Sequence, residues 1–584
     1  MQNDNKNKNV KTDSTKSRKT GTAATKKRTA AAGRKRKKKN AKNRQIITGL
    51  VIAVAAVCII ALLIGGMGSG THMANKKEMF HISSDEDTGV VVNGKVLETP
   101  ARKINGANYI LYTDVWNYIN SGFYLEGDTL YMTLPEGTKT WTPDDGTGCL
   151  YKEGEDYYIS DQCIIDNSDI EYQVYSDPDR IVIRNKWNGV YTAGLTSDSK
   201  IRQRNDERSD IVTEAVKGQT VAVLEEGDEW TSVTTEDGFT GYVKNDILSD
   251  KTELTHEADS RYVFPSASFG QTVKMIWHYI DSNANNIYLD GMMADAGDVN
   301  VISPTWFRIA DAAGNMTTFA DTDYVNKAHN TYGLSIWALV GDYLGEDSTT
   351  GKIISSEENR QRIISQMIET AVNYSLQGIN VDFETITRDQ APAYLQFLRE
   401  LKLAAAPYGL VISTDNYVPT YTGYYKRSEQ SKIVDYVIIM GYDEHTGSSD
   451  EIGSVASLPF VEQGIEDTLL EVPAEKTVLA VPFYTRGWVE KFGSTSFESV
   501  HLNMTEIQSF IDEHNITTQW DDSVGQYVGS ASDSEATYSI WVEDAASLEL
   551  KLKLISKYGL AGASAWRIGI ETQDVWEVWK NCLG

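Results

Sequence analysis

Eight apolar runs, separated by stretches of helical periodicity, constrain the fold of residues 259–584 more than any other feature of the chain. They are Val273–Tyr279, Val299–Phe307, Gly333–Val340, Ile379–Glu384, Val411–Tyr417, Tyr436–Tyr442, Thr477–Tyr484 and Gly562–Ile568. Between them, Glu357–Leu376, Ala391–Ala405, Phe460–Leu470 and Ala545–Lys557 carry their apolar residues three and four apart. Strands that alternate with helices form a parallel sheet, because each crossover helix returns the chain to the end at which the previous strand began. Eight such units predict an α/β architecture, a (β/α)8 barrel over 259–584, with an insertion near 490–540 between the seventh and eighth strands.

The fourth run, Gly378-Ile-Asn-Val-Asp-Phe-Glu384, ends in acid. Side chains alternate along a strand, so Ile379, Val381 and Phe383 point one way and Asn380, Asp382 and Glu384 the other. In a barrel the polar row faces the axis and opens at the C-terminal mouth, where such barrels carry their chemistry. Other strand ends add Asp415, Asn416 and Tyr417 on the fifth, Met440, Tyr442 and Asp443 on the sixth, Tyr484 and Arg486 on the seventh, and Trp566 on the eighth. Acids surrounded by aromatic rings suit a sugar: ring faces stack on pyranose, and carboxylates serve the glycosidic oxygen. The predicted substrate contacts are Asn380, Asp415, Asn416, Met440, Asp443, Tyr484, Arg486 and Trp566. No His or Cys cluster has metal-ligand spacing, and neither metal nor cofactor is expected.

Charge is divided unevenly. Residues 1–44 hold 17 Lys and Arg against two acids, in a chain of 584 residues whose formal net charge is −27. The uncharged run Ile46–Ile64 follows the basic cluster Arg34–Arg44. It is long enough to span a bilayer, and the flanking charge keeps its N-terminal side in the cytoplasm. The expectation is a basic cytoplasmic tail (1–45), a transmembrane helix (46–67), a flexible stalk (68–85) and an extracellular body, so that the chain is a single-pass protein of the cell membrane. A cleaved signal peptide is the alternative, but no convincing cleavage site follows the run. The basic tail is accounted for by topology, so no nucleic-acid partner is expected. Cys149 and Cys163, 14 residues apart on what read as neighbouring strands, either pair outside the cell or remain free thiols.

Two small all-β modules precede the barrel. Residues 86–187 contain strand candidates such as Thr129–Leu134 and Arg180–Arg184. They resemble the copper-amine-oxidase N-terminal-like domain, which implies neither copper nor oxidase activity here; an unclassified β spacer or wall contact is the other reading. In 190–250, short strands (Thr220–Leu224, Trp230–Thr234, Phe239–Val243) are separated by Glu226-Gly-Asp228 and Glu236-Asp-Gly238. This unit resembles a bacterial SH3-type domain, which implies a cell-wall setting.

The strand-four stretch Gln377-Gly-Ile-Asn-Val-Asp-Phe-Glu384, with Met440-Gly-Tyr-Asp443 and the late Trp566, resembles glycoside hydrolase family 18, in its peptidoglycan- and spore-associated branch. The resemblance implies a retaining, substrate-assisted mechanism on an N-acetylated glycan, most simply peptidoglycan, with chitin as the alternative. Glu384 is then the general acid, Asp382 orients the acetamide and Tyr442 bonds its oxygen. Gln377 and Asn380 depart from the family pattern D-G-x-D-x-D-x-E. With no acid at 380, Asp382 is expected to stay ionised, and a non-catalytic wall-glycan binder is the competing reading.

Overall fold

A computed structural model describes residues 70–584. The expected membrane helix (46–67) lies outside the described residues; among the described residues no helix is long and apolar enough to cross a membrane.

The described chain forms two compact units, one containing residues 190–252 and the other 77–189 with 253–584. In the second, eight parallel strands close a barrel: β1 (Val273–His278), β2 (Val301–Pro304), β3 (Ser335–Gly341), β4 (Gly378–Asp382), β5 (Val411–Tyr417), β6 (Tyr436–Met440), β7 (Thr477–Pro482) and β8 (Gly562–Trp566). Each pairs with the next, β8 pairs with β1, and β2 pairs with β3. At the β8–β1 seam the backbones come so close that a Cβ on Gly562 would lie 2.0 Å from the Val273 carbonyl oxygen. Glycine is required there by contact alone.

The alternation along β4 holds. Ile379, Val381 and Phe383 are fully buried, and Phe383 packs on Tyr394 and Phe397 of the helix Ala391–Ala405. Each such side chain contributes about 1.5–3 kcal/mol of burial. The other row faces the axis. Gly378 leaves room for Trp337 of β3, since a Cβ there would come within 2.7 Å of the ring, and Trp337 stacks on Tyr436 of β6 across the lumen. An aromatic plug therefore fills the floor, and polar side chains occupy the levels above it.

The expected insertion is present. Residues 484–541 build a five-stranded antiparallel sheet with the helix Met504–Glu513. The N-terminal module is docked on the barrel rather than loosely tethered. Tyr131 donates to Glu357 (2.9 Å), Arg360 pairs with Glu126 (2.8 Å), and Gln396 donates to Thr133 (2.8 Å). Cys149 and Cys163 are disulfide-bonded, with Cα atoms 5.3 Å apart. Cys163 lies in the helix Asp161–Asp166 rather than on a strand.

The expected stalk is a correction. Ile211 donates to the His72 carbonyl and Ala74 to the Ile211 carbonyl, both at 2.8 Å, the helix Lys76–Met79 follows, and Phe80 is fully buried. Phe80 fits because residue 89 is glycine; a Cβ there would lie 2.6 Å from that of Phe80. Residues 190–252 fold as a separate antiparallel β unit with a cavity of about 680 Å³ lined by Lys200, Arg202, Trp230 and Lys244. On the barrel-bearing unit, the two ends flanking this insert meet. Trp187 stacks on His256 with centroids 3.6 Å apart, and the Gly189 amide donates to Glu253 at 2.9 Å.

Candidate functional site

The mouth is built on β4. Asp382 is half-buried, with Oδ1 closed off from solvent, and Glu384 lies just beyond the strand end. Glu384 is fixed from both sides. Its amide and that of Thr385 each donate to Asp342 Oδ2 at 2.9 Å, and its carboxylate accepts a hydrogen bond from the Tyr417 hydroxyl. Although its tip reaches solvent, the surrounding protein desolvates it and pushes its pKa up. The Tyr417 hydrogen bond opposes this shift, and Asp342 and Asp443 add to it. That is the direction a proton donor needs near neutral pH.

Asp382 differs from expectation. Burial pushes its pKa well above the usual carboxylate range, and the charges of Asp415, Glu384 and Asp342 push it further. Removing an acid at 380 does not leave Asp382 without like-charge neighbours, because β5 supplies one. Parallel register sets Asn380 beside Ser413 and Val381 beside Thr414. One step further along this register sets Asp382 beside Asp415. Asp415 is buried and also shifted upward, chiefly by burial.

Below the acids, Asn380 is sealed. Its Oδ1 accepts from Trp277 Nε1 (2.9 Å) and Ser303 Oγ (3.3 Å), and its Nδ2 donates to Ser413 Oγ (3.0 Å) and Asp415 Oδ1 (2.8 Å). The predicted substrate contact at Asn380 is therefore corrected: its polar atoms are all engaged inside the lumen. Asn416 is corrected as well. Lying out of phase with Asp415, it points to the helix Arg427–Ile433, where it exchanges two hydrogen bonds with Gln430, each 3.0 Å. Met440 is buried beneath the mouth.

The remaining predicted residues form the rim. Tyr442, buried, has no hydrogen-bond partner for its hydroxyl among the described residues, and Asp382, Asp415 and Glu384 all act on it electrostatically. Its ring lies 6.1 Å from that of Tyr484, whose hydroxyl donates to Asp443 at 2.7 Å. Arg486 approaches the same carboxylate at 3.7 Å. Trp566 is half-buried, 5.9 Å from the Trp277 ring and 6.5 Å from that of Tyr279. Sequence reading missed Asp342 and placed Tyr417 at the mouth without giving it a contact. Both stand at strand ends of the same mouth, so the rule that found Asp382 reaches them too.

The model of the glycosyl hydrolases family 18 matches residues 276–571, about half of the chain, and that of the bacterial SH3 domain matches 197–249. An uncharacterized glycosylase of Bacillus subtilis (strain 168), YvbX, is 25% identical over 308 residues, covering 50% of this chain and 86% of that protein. The cortical fragment-lytic enzyme of the same organism is 27% identical over 262 residues, 43% of this chain and 60% of its own length. Among solved structures, a chitinase from Chromobacterium violaceum superposes with a TM-score of 0.48 at 21% identity, covering 54% of this chain and 99% of that one. The Bacillus cereus spore cortex-lytic enzyme SleL gives 0.46 at 17% identity, covering 58% and 78%.

Proposed function

Since the chain belongs to glycosyl hydrolases family 18 and is a glycosidase, we propose that it cleaves a β-linked N-acetylglucosamine glycan of the cell wall, peptidoglycan, with retention of configuration. The observation that carries this reading is the grouping of Glu384, Asp382 and Tyr442 at one barrel mouth. Glu384 gives its proton to the glycosidic oxygen as the bond to the anomeric carbon breaks. The substrate's own acetamido carbonyl closes on that carbon, so no carboxylate nucleophile is needed. Asp382 accepts from the acetamide N–H and offsets the ring's positive charge, and the free Tyr442 hydroxyl donates to the acetamide oxygen. Water then opens the ring, returning its proton to Glu384.

Two features favour peptidoglycan over chitin. The bacterial SH3-type unit suits a wall setting. Arg567, which lies over the Tyr279 ring at 5.3 Å and has no ion pair among the described residues, offers a charge for the carboxylates that peptidoglycan carries and chitin lacks. The test is digestion of both polymers by the purified protein, with products read by mass spectrometry. Glu384→Gln should lower kcat by about 10²–10⁴-fold while binding persists; a fully active variant removes Glu384 from the role, and cleavage of neither polymer favours the binder. We further propose that the run Ile46–Ile64 anchors the protein in the cell membrane with its body outside. Deleting residues 46–67 should release it from the membrane fraction, and unchanged partitioning refutes the anchor.

A further inference from the structure

Two carboxylate oxygens in the mouth have no partner among the described residues: Asp382 Oδ1 and Asp415 Oδ2 are both closed to solvent and unbonded. They belong to residues brought side by side by the β4–β5 register, on strands that run about 4.8 Å apart. Two ionised carboxylates in that position repel, and each leaves a buried acceptor empty. A single proton between them removes both costs.

Asn380 indicates the same arrangement. The Trp277 indole can only donate, which fixes Oδ1 of Asn380 toward it and turns the amide NH2 toward Asp415. An aspartate at 380 would instead set an acceptor against the Asp415 carboxylate. The amide at 380 and the acid at 415 are matched.

We infer that Asp415 is a positioning residue that shares one proton with Asp382, so that the carboxyl absent from position 380 of β4 is supplied from β5, with Asn380 holding it in place. The inference rests on the glycosidase mechanism proposed above. In the resting enzyme the pair carries one proton and one charge. When the substrate acetamide N–H donates to Asp382, the O–H bond on Asp382 breaks as one on Asp415 forms, and Asp382 meets the developing positive charge as an anion. The other groups acting on Asp382 are Glu384 and Asp342. Asp382 in turn acts on Tyr417, Tyr442 and Tyr394. No Lys or Arg forms an ion pair with Asp382 or Asp415 among the described residues, so no cation relieves the pair in place of the proton.

Infrared difference spectra of the full chain at pH 7 test this without substrate. Asp415→Asn and Asp382→Asn should each remove the same protonated-carboxyl band, and Asp443→Asn should leave it. On glycan, Asp415→Asn should lower kcat at least about tenfold with a smaller change in KM and an altered pH profile, and the exchange Asn380→Asp/Asp415→Asn should recover most of it. If Asp415→Asn retains the band, or if both its pH profile and its kcat match wild type, the shared proton is overturned. A chain that cleaves no glycan yet loses the band in both variants would overturn the proposed reaction and leave the shared proton standing. Loss of cleavage in Glu384→Gln with no effect of Asp415→Asn on band or profile would do the reverse.

Discussion

Buried acids occur at two levels of this barrel and are treated in opposite ways. In the body, Glu543 and Lys551 are fully buried and 2.6 Å apart, and Ser547 and Gln526 also donate to the carboxylate. Asp435 likewise accepts from Lys402 at 2.6 Å and from the amides of Ile412 and Ala267. At the mouth, Asp382 and Asp415 pair with no cation among the described residues, and each keeps an unpartnered oxygen. The body satisfies its buried charge, and the mouth leaves it unrelieved. Burial raises the pKa of Glu543 too, but Lys551 and Ser547 beside it oppose that shift, whereas the neighbouring acids of the mouth add to the shift of Asp382 and let the mouth hold a proton.

Removing the partner on each side should break the contrast. Lys551→Met strands Glu543 and should cost about 3–5 kcal/mol in denaturant unfolding, without moving the pH optimum; a loss under about 1 kcal/mol would mean that the pair is not structural. Asp382→Asn should do the reverse, abolishing turnover while making the protein more stable at pH 7. Because its pKa is raised in the fold, Asp382 favours the native state fully below its unfolded pKa of about 3.8 and withdraws that support as pH rises through the folded value. The variant's advantage should therefore be on the order of 1 kcal/mol at pH 7, limited because the outer oxygen still meets solvent, and should vanish below about pH 4. Equal stability at both pH values would show that the mouth acids are not strained.

Much of this was legible in the chain, and the reasons are local. The alternation of Ile379, Val381 and Phe383 with Asn380, Asp382 and Glu384 needs only the geometry of one strand, and the residues after each strand identify the mouth. What remained hidden depends on register between strands. Nothing near Asp382 in sequence says that Asp415 lies beside it, so the missing acid at 380 read as a loss of charge. Asn416 was misassigned because a strand end with polar residues in both phases does not reveal which phase faces the axis. The segment around Phe80 read as a stalk because the space that buries it is made by Gly89.

The meeting of the two ends that flank residues 190–252 has a consequence for how such a protein is assembled from parts. Because Trp187 stacks on His256 and Gly189 is hydrogen-bonded to Glu253, the docked module and the barrel already share a closed junction that does not need the segment between them. Residues 190–252 leave the barrel-bearing unit and return to it at this junction, and they also hold His72 and Ala74 through Ile211. Rearrangement that exchanges or removes residues 190–252 leaves the Trp187–His256 and Gly189–Glu253 contacts of the barrel-bearing unit in place and gives up the pairing of His72 and Ala74 with Ile211.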